Sequence, residues 1–217
     1  MERERGSKVI AIVALCAGVI GLSLGFAAFA SNLTIKSSAT VSPEASTFNV
    51  DFTTTSGSVV SGDVTATVVG ATADPATIDN AGTDSEIENL VVHFTEPGQS
   101  ATYSFYAHNA GEYVAYLNDI TFNNVSGEDK FKVCTAGDGT DQELVDAACA
   151  NIKLTLTVGE DAALISTDRT MAVSEHALAS KTSEPVTVKI EYTGTDRADG
   201  DFTVAFGDIG LSYSAVK

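Results

Sequence analysis

From residue 48 onward, apolar positions recur with a period of two. Phe48, Val50 and Phe52 alternate with Asn49 and Asp51, and Val64, Ala66 and Val68 with Thr65 and Thr67. Later runs are longer: Tyr103, Phe105 and Ala107 oppose Thr102, Ser104 and Tyr106, and Ile152, Leu154, Leu156 and Val158 oppose Lys153, Thr155 and Thr157. Val186, Val188, Ile190 and Tyr192 oppose Thr187, Lys189, Glu191 and Thr193. Successive side chains of a strand point to opposite faces, so each run predicts a strand with one apolar side. Phe202, Val204 and Phe206, then Ile209, Leu211 and Tyr213, repeat the pattern around Gly207 and Gly210 and predict a closing strand pair.

Turn signals separate these runs: Glu96-Pro97-Gly98, Asn109-Ala110-Gly111, Ser126-Gly127-Glu128-Asp129 and Ala198-Asp199-Gly200. The polar, acidic stretch Gly70 to Asp84 reads as a long loop. Helix is scarce; the best candidate is Gln142 to Ala150, with Asp141 as N-cap and Glu143 and Asp146 near the positive end of its dipole. Many short strands without alternating helices predict an all-β fold. Its antiparallel sheets pack face to face in a jelly-roll or immunoglobulin-like β-sandwich with a short helical insertion.

The head of the chain follows a different pattern. Charged residues Glu2, Arg3, Glu4, Arg5 and Lys8 precede an apolar stretch, Val9 to Ala30, of 22 residues. Ala28-Phe29-Ala30 places small residues at −3 and −1 before Ser31, so residues 1–30 read as a signal helix and peptide cleaved after Ala30. The alternative is an uncleaved anchor, since the stretch is long enough to span a bilayer. Cys16 follows Leu15 rather than a small residue, which argues against lipidation, and Ala11 stands where a type IV pilin wants an acid. The domain reading is therefore a signal at 1–30, a separate N-terminal strand at 31–41 and a sandwich at 42–217.

Charge then narrows the partners. The 217 residues carry a net charge of −17, and cleavage leaves nine basic against 27 acidic side chains, a net −18. A chain this acidic repels nucleic acid, and its own copies repel one another until salt or acid intervenes. Cys134 and Cys149 close a 16-residue segment, most simply a disulfide in an exported protein. Free thiols are the alternative; a metal site would need further ligands, and that segment contains no His.

Catalytic signatures are absent from the sequence. There is no His-Glu-x-x-His, Gly-x-Ser-x-Gly or phosphate-cradling glycine loop, and His93, His108 and His176 are widely separated. His93 and His108 fall in or beside predicted strands and His176 in a polar, loop-like stretch. No catalytic residue, cofactor or metal site is expected. Two acidic groups, Asp138, Asp141 and Glu143, and Asp196, Asp199 and Asp201, could attract calcium but read more simply as solvated turns. Asn32-Leu33-Thr34 and Asn124-Val125-Ser126 match the glycosylation acceptor pattern.

Several segments resemble the TasA/camelysin family of exported bacterial proteins. They are the signal end Phe26-Ala27-Ala28-Phe29-Ala30-Ser31, the block Leu90-Val91-Val92-His93-Phe94 before Pro97-Gly98, and Tyr103-Ser104-Phe105. Asn109-Ala110-Gly111 with Ala115-Tyr116-Leu117, and the ending Val204 to Ile209 through Leu211-Ser212-Tyr213, complete the likeness. The cysteine pair and its loop depart from that family.

The resemblance implies a jelly-roll subunit of an extracellular biofilm-matrix fibre. A dedicated signal peptidase would release it, and it would assemble by donor-strand complementation. Leu33 and Ile35 give the segment 31–41 one apolar face; such a strand either starts its own sandwich or adds to a neighbour's open edge. The expected role is a secreted or cell-surface, non-enzymatic homopolymer, with accessory surface or matrix proteins as partners. It would touch the membrane only through the signal before cleavage. The runners-up are a monomeric adhesion module, with Tyr106, Tyr113 and Tyr116 as its aromatic cluster, and a camelysin-like metalloprotease.

Overall fold

The computed structural model describes residues 49–57, 62–80, 85–160, 164–165 and 176–215. All of them belong to one unit, Pro43–Lys217. The signal residues Ala28, Ala30 and Ser31, and the donor-strand candidates Leu33 and Ile35, lie outside the described residues.

In chain order the strands are β1 (Val50–Thr53), β2 (Asp63–Val64), β3 (Thr67–Val69), β4 (Thr72–Ala73), β5 (Ala76–Asp79), β6 (Ser85–Glu88), β7 (Leu90–Phe94), β8 (Ser100–Asn109), β9 (Ala115–Phe122) and β10 (Lys132–Ala136). Helix α1 (Gln142–Cys149) precedes β11 (Ile152–Val158), β12 (Leu164–Ile165), β13 (Ala177–Leu178), β14 (Ser183–Tyr192), β15 (Phe202–Phe206) and β16 (Ile209–Ser214). The named strands pair antiparallel, which bears out the all-β expectation. The sheets are sandwich-like.

Sheet 1 runs β1-β8-β14-β11-β12, with β3 also on β8. Sheet 2 runs β10-β15-β7-β4, and sheet 3 β13-β9-β16-β6-β5-β2. Strand for strand, sheet 3 repeats sheet 2: β9 follows the place of β10, β16 that of β15, β6 that of β7 and β5 that of β4. Together they are one layer broken across its middle, and the chain crosses the break at Gly207-Asp208 and at Asn89, which has a positive φ of 57°. The closing-pair expectation is corrected accordingly: β15 and β16 do not pair with each other but sit in different sheets.

Two further expectations change. The run Val64 to Val68 splits between sheets, β2 pairing with β5 and β3 with β8. Gly70 to Asp84 is no single loop, since it contains β4 and β5. In the first segment Val64 is buried but Val68 and Val69 are exposed, so its period of two spans two sheets; in the second, β5 does alternate, with Ala76 and Ile78 buried between polar residues.

Where the pattern is long, it holds. Tyr103, Phe105, Ala107, Ile152, Leu154, Leu156, Val158, Val186, Val188, Ile190 and Tyr192 are all buried in one hydrophobic cluster with residues of sheets 2 and 3. Each large side chain there contributes roughly 1.5–3 kcal/mol. Aromatic rings tie the layers: Tyr192 of sheet 1 meets Phe94 edge-on at 5.8 Å and Phe202 at 5.4 Å. Helix α1 forms as its sequence demands, with the Asp141 carboxylate accepting from Glu143 N at 2.9 Å.

Candidate functional site: edges, polar ties and an acidic face

A sandwich of open sheets must do something with its edges, whose unpaired N–H and C=O groups attract other strands. On β1, the Asn80 carboxamide closes the edge by accepting from Phe52 N at 2.9 Å and donating to Phe52 O at 2.8 Å. Ser85 Oγ donates to Val50 O beside it. On β10, Gln142 of α1 does the same, accepting from Ala136 N at 3.0 Å and donating to Cys134 O at 3.1 Å.

The edge at β3 is different. Strands β1 and β3 lie along the same side of β8, pairing with Tyr106 to Asn109 and with Ser100 to Thr102. Tyr103, Ser104 and Phe105 have no ladder partner on that side among the described residues. All three residues of β3 are exposed, Val68 by 42% and Val69 by 63%.

A disulfide joins Cys134 of β10 to Cys149 at the end of α1, with Cα atoms 6.1 Å apart. Beside it lies a cavity of about 390 Å³ lined by Lys130, Lys132, Glu128 and Asp146. Lys132 Nζ donates to Cys149 O at 2.7 Å and Ile152 O at 3.1 Å, and burial pulls its pKa below the ordinary lysine value.

Two of the histidines lie in strands and the third just before one. His93 (β7) and His108 (β8) contact Thr203 Oγ1 and Ser183 Oγ through Nδ1. His176, expected in a polar, loop-like stretch, lies outside any strand, just ahead of β13, with its side chain 13% exposed. It contacts Glu184 Oε2 at 2.5 Å, while Tyr213 OH donates to Glu184 Oε1 at 3.0 Å. This is a polar tie between sheets 1 and 3, with both carboxylate oxygens engaged. Desolvation, followed by the Glu184 charge, holds the Tyr213 phenol well above its usual pKa.

The expected acidic groups also have structural partners. Asp141 caps α1, Asp196 Oδ2 accepts from Asn151, and Asp201 O accepts from Gly137 N and from Thr140 Oγ1. Neither group draws together as an ion site; among the described residues, the acids that do are Glu86, Glu88 and Asp208. Sequence reading missed these three because only the pairing register of β6 against β16 brings them together. Of the tyrosine cluster, Tyr106 lies on β8 in sheet 1 and Tyr116 on β9 in sheet 3, while Tyr113 is 57% exposed in the connection between them. Asn124 is exposed just past β9, whereas Asn32 lies outside the described residues.

Among the described residues, no helix is long and apolar enough to cross a membrane. Comparison with family models, curated proteins and solved structures returns no match to this chain.

Proposed function

We propose that this chain is an exported, non-enzymatic structural subunit with a jelly-roll-type sandwich, polymerising into extracellular fibres of the biofilm-matrix kind. In this reading a dedicated signal peptidase cuts after Ala30, and residues 31–41 of one copy add as a strand to the β3 edge of the next. Accessory surface or matrix proteins anchor the fibre.

The observation that carries the reading is the contrast between edges. Carboxamides close β1 and β10, whereas β3 presents Val68 and Val69 to solvent beside a ladder on β8 that is incomplete among the described residues. An apolar, unclosed edge is a template for strand addition. Leu33 and Ile35 would supply the complementary face, each contributing roughly 1.5–3 kcal/mol on burial.

Electron microscopy with circular dichroism tests this on three variants: Leu33→Asp with Ile35→Asp, a chain starting at Ser42, and Val69→Lys. The expected outcome is a retained β-sheet signal with no filaments. Filaments like those of the parent from the first two variants would exclude residues 31–41 as the connector. Filaments from Val69→Lys alone would move the receiving edge elsewhere, and a parent that stays monomeric would favour the adhesion module.

A further inference from the structure

We propose that the outer face of sheet 3 holds a hard divalent cation of the calcium type, bound by Glu86, Glu88 and Asp208 with the Thr121 hydroxyl. The register of β6, β16 and β9 builds the site. Asp79, Glu86, Gly210 and Thr121 form one row across β5, β6, β16 and β9. Asp208 immediately precedes Ile209, which pairs with Ile87, so it stands beside Glu88 in the next row. Glu86, Glu88 and Asp208 are half-buried, and each places a carboxylate oxygen within 4.8 Å of the others.

The hydroxyl of Thr121 is the second, separate observation: its Oγ1 is buried and has no hydrogen-bond partner among the described residues. Burying a polar atom without a partner is costly, so such an atom needs an explanation. Its position relative to Gly210 supplies one. A β-carbon on Gly210 would overlap Thr121 Oγ1 and lie 3.3 Å from Glu86 Cγ and 3.4 Å from Glu86 Oε1. Glycine therefore lets the Thr121 hydroxyl and the Glu86 side chain lean in over the same backbone position, which brings the orphan oxygen up beside Glu86.

The polar contacts within the cluster come from Asn123. Its Nδ2 donates to Glu86 Oε1 at 3.3 Å, its side chain bonds Asp208, and its backbone N donates to Asp208 O at 2.9 Å. None of the ion pairs recorded among the described residues involves the three acids. Burial and the charges of Asp208, Asp79 and Glu86 push the Glu88 pKa up, and burial raises that of Asp208. Like charges gathered without a countercharge among the described residues favour a cation, and an all-oxygen donor set without His or Cys selects calcium over zinc.

The test is calorimetric titration of the chelator-treated full chain with calcium and, separately, magnesium, alongside melting curves and circular dichroism. Saturable uptake of one calcium ion is expected at a Kd of about 10⁻⁴–10⁻³ M, with a raised Tm and weaker binding of magnesium. Glu88→Gln and Asp208→Asn should each weaken binding at least tenfold, and Thr121→Val several-fold, all with the parent's circular dichroism. Glu88→Gln should also melt higher than the parent without calcium, because it removes repulsion, yet gain nothing when calcium is added. No saturable binding by ~10 mM calcium, or parent-like binding by Glu88→Gln and Asp208→Asn, would overturn the proposal; so would binding lost only on Asp199→Asn.

Discussion

A primary carboxamide has the same donor and acceptor as a peptide group, and this chain uses that equivalence twice, at Asn80 and Gln142. Asn80→Ala would leave Phe52 N and Phe52 O of a buried residue without partners. A loss of about 1–3 kcal/mol in urea denaturation is expected, with a greater tendency to associate through β1. Tyr103 yields a prediction with a definite sign. Its hydroxyl donates to Asp74 O and Val91 O across the layers, and desolvation, then the Asp74 charge, pushes its pKa to about 12. A folded-state pKa above the ordinary 10 means that folding favours the neutral phenol. That stability is complete below pH 10 and is lost as pH rises toward 12, by about 2–3 kcal/mol. Denaturation at pH 8 and pH 11.5 should show a steeper alkaline loss for the parent than for Tyr103→Phe.

At the scale of elements, the disulfide and Gln142 hold α1 against β10 from opposite ends of the helix. Replacing both Cys134 and Cys149 by Ser should free the helix while the sheets stay paired. The expected stability loss is no more than about 3 kcal/mol, with limited proteolysis cutting between residues 137 and 151 before the sandwich unfolds. These elements also show what the sequence made legible. Runs such as Ile152 to Val158 announce themselves because a strand facing a core on one side must alternate, and α1 announces itself through Asp141. Strands β2 to β4 do not, because two or three residues are too few for a period to register, and β5 hides because its two buried residues, Ala76 and Ile78, sit in a polar, acidic stretch. Asn109-Ala110-Gly111 is legible as a turn, but not the buried Asn109 amide that bonds Tyr113 O, Leu178 O and Gly111 N. The acid cluster is likewise hidden, since Glu86 and Asp208 are remote in sequence and only the pairing of β6 with β16 brings them together.

For the whole molecule, charge sets the expected response of assembly to conditions. Copies carrying a net −17, or −18 after cleavage, approach against a repulsion that salt screens and acid removes. If the chain polymerises as proposed, light scattering at low salt should therefore show faster filament growth at about pH 5 than at pH 8, and acceleration by moderate salt at pH 8. Equal rates, or inhibition by salt, would rule out self-repulsion as the barrier. The broken layer carries a consequence of another kind, in time rather than space. Strands β15 and β16 are central in sheets 2 and 3, separating β10 from β7 and β9 from β6. Phe94 acquires its ladder partner only from Phe202, 108 residues later. Until that late pair exists, both halves of the layer lack their middle strand and the earlier strands have only partial neighbours. Such long loop closures make folding slow, on a timescale of milliseconds to seconds. A ribosome that has released only the first 200 residues holds a chain in which neither middle strand, β15 nor β16, is yet present to complete its sheet.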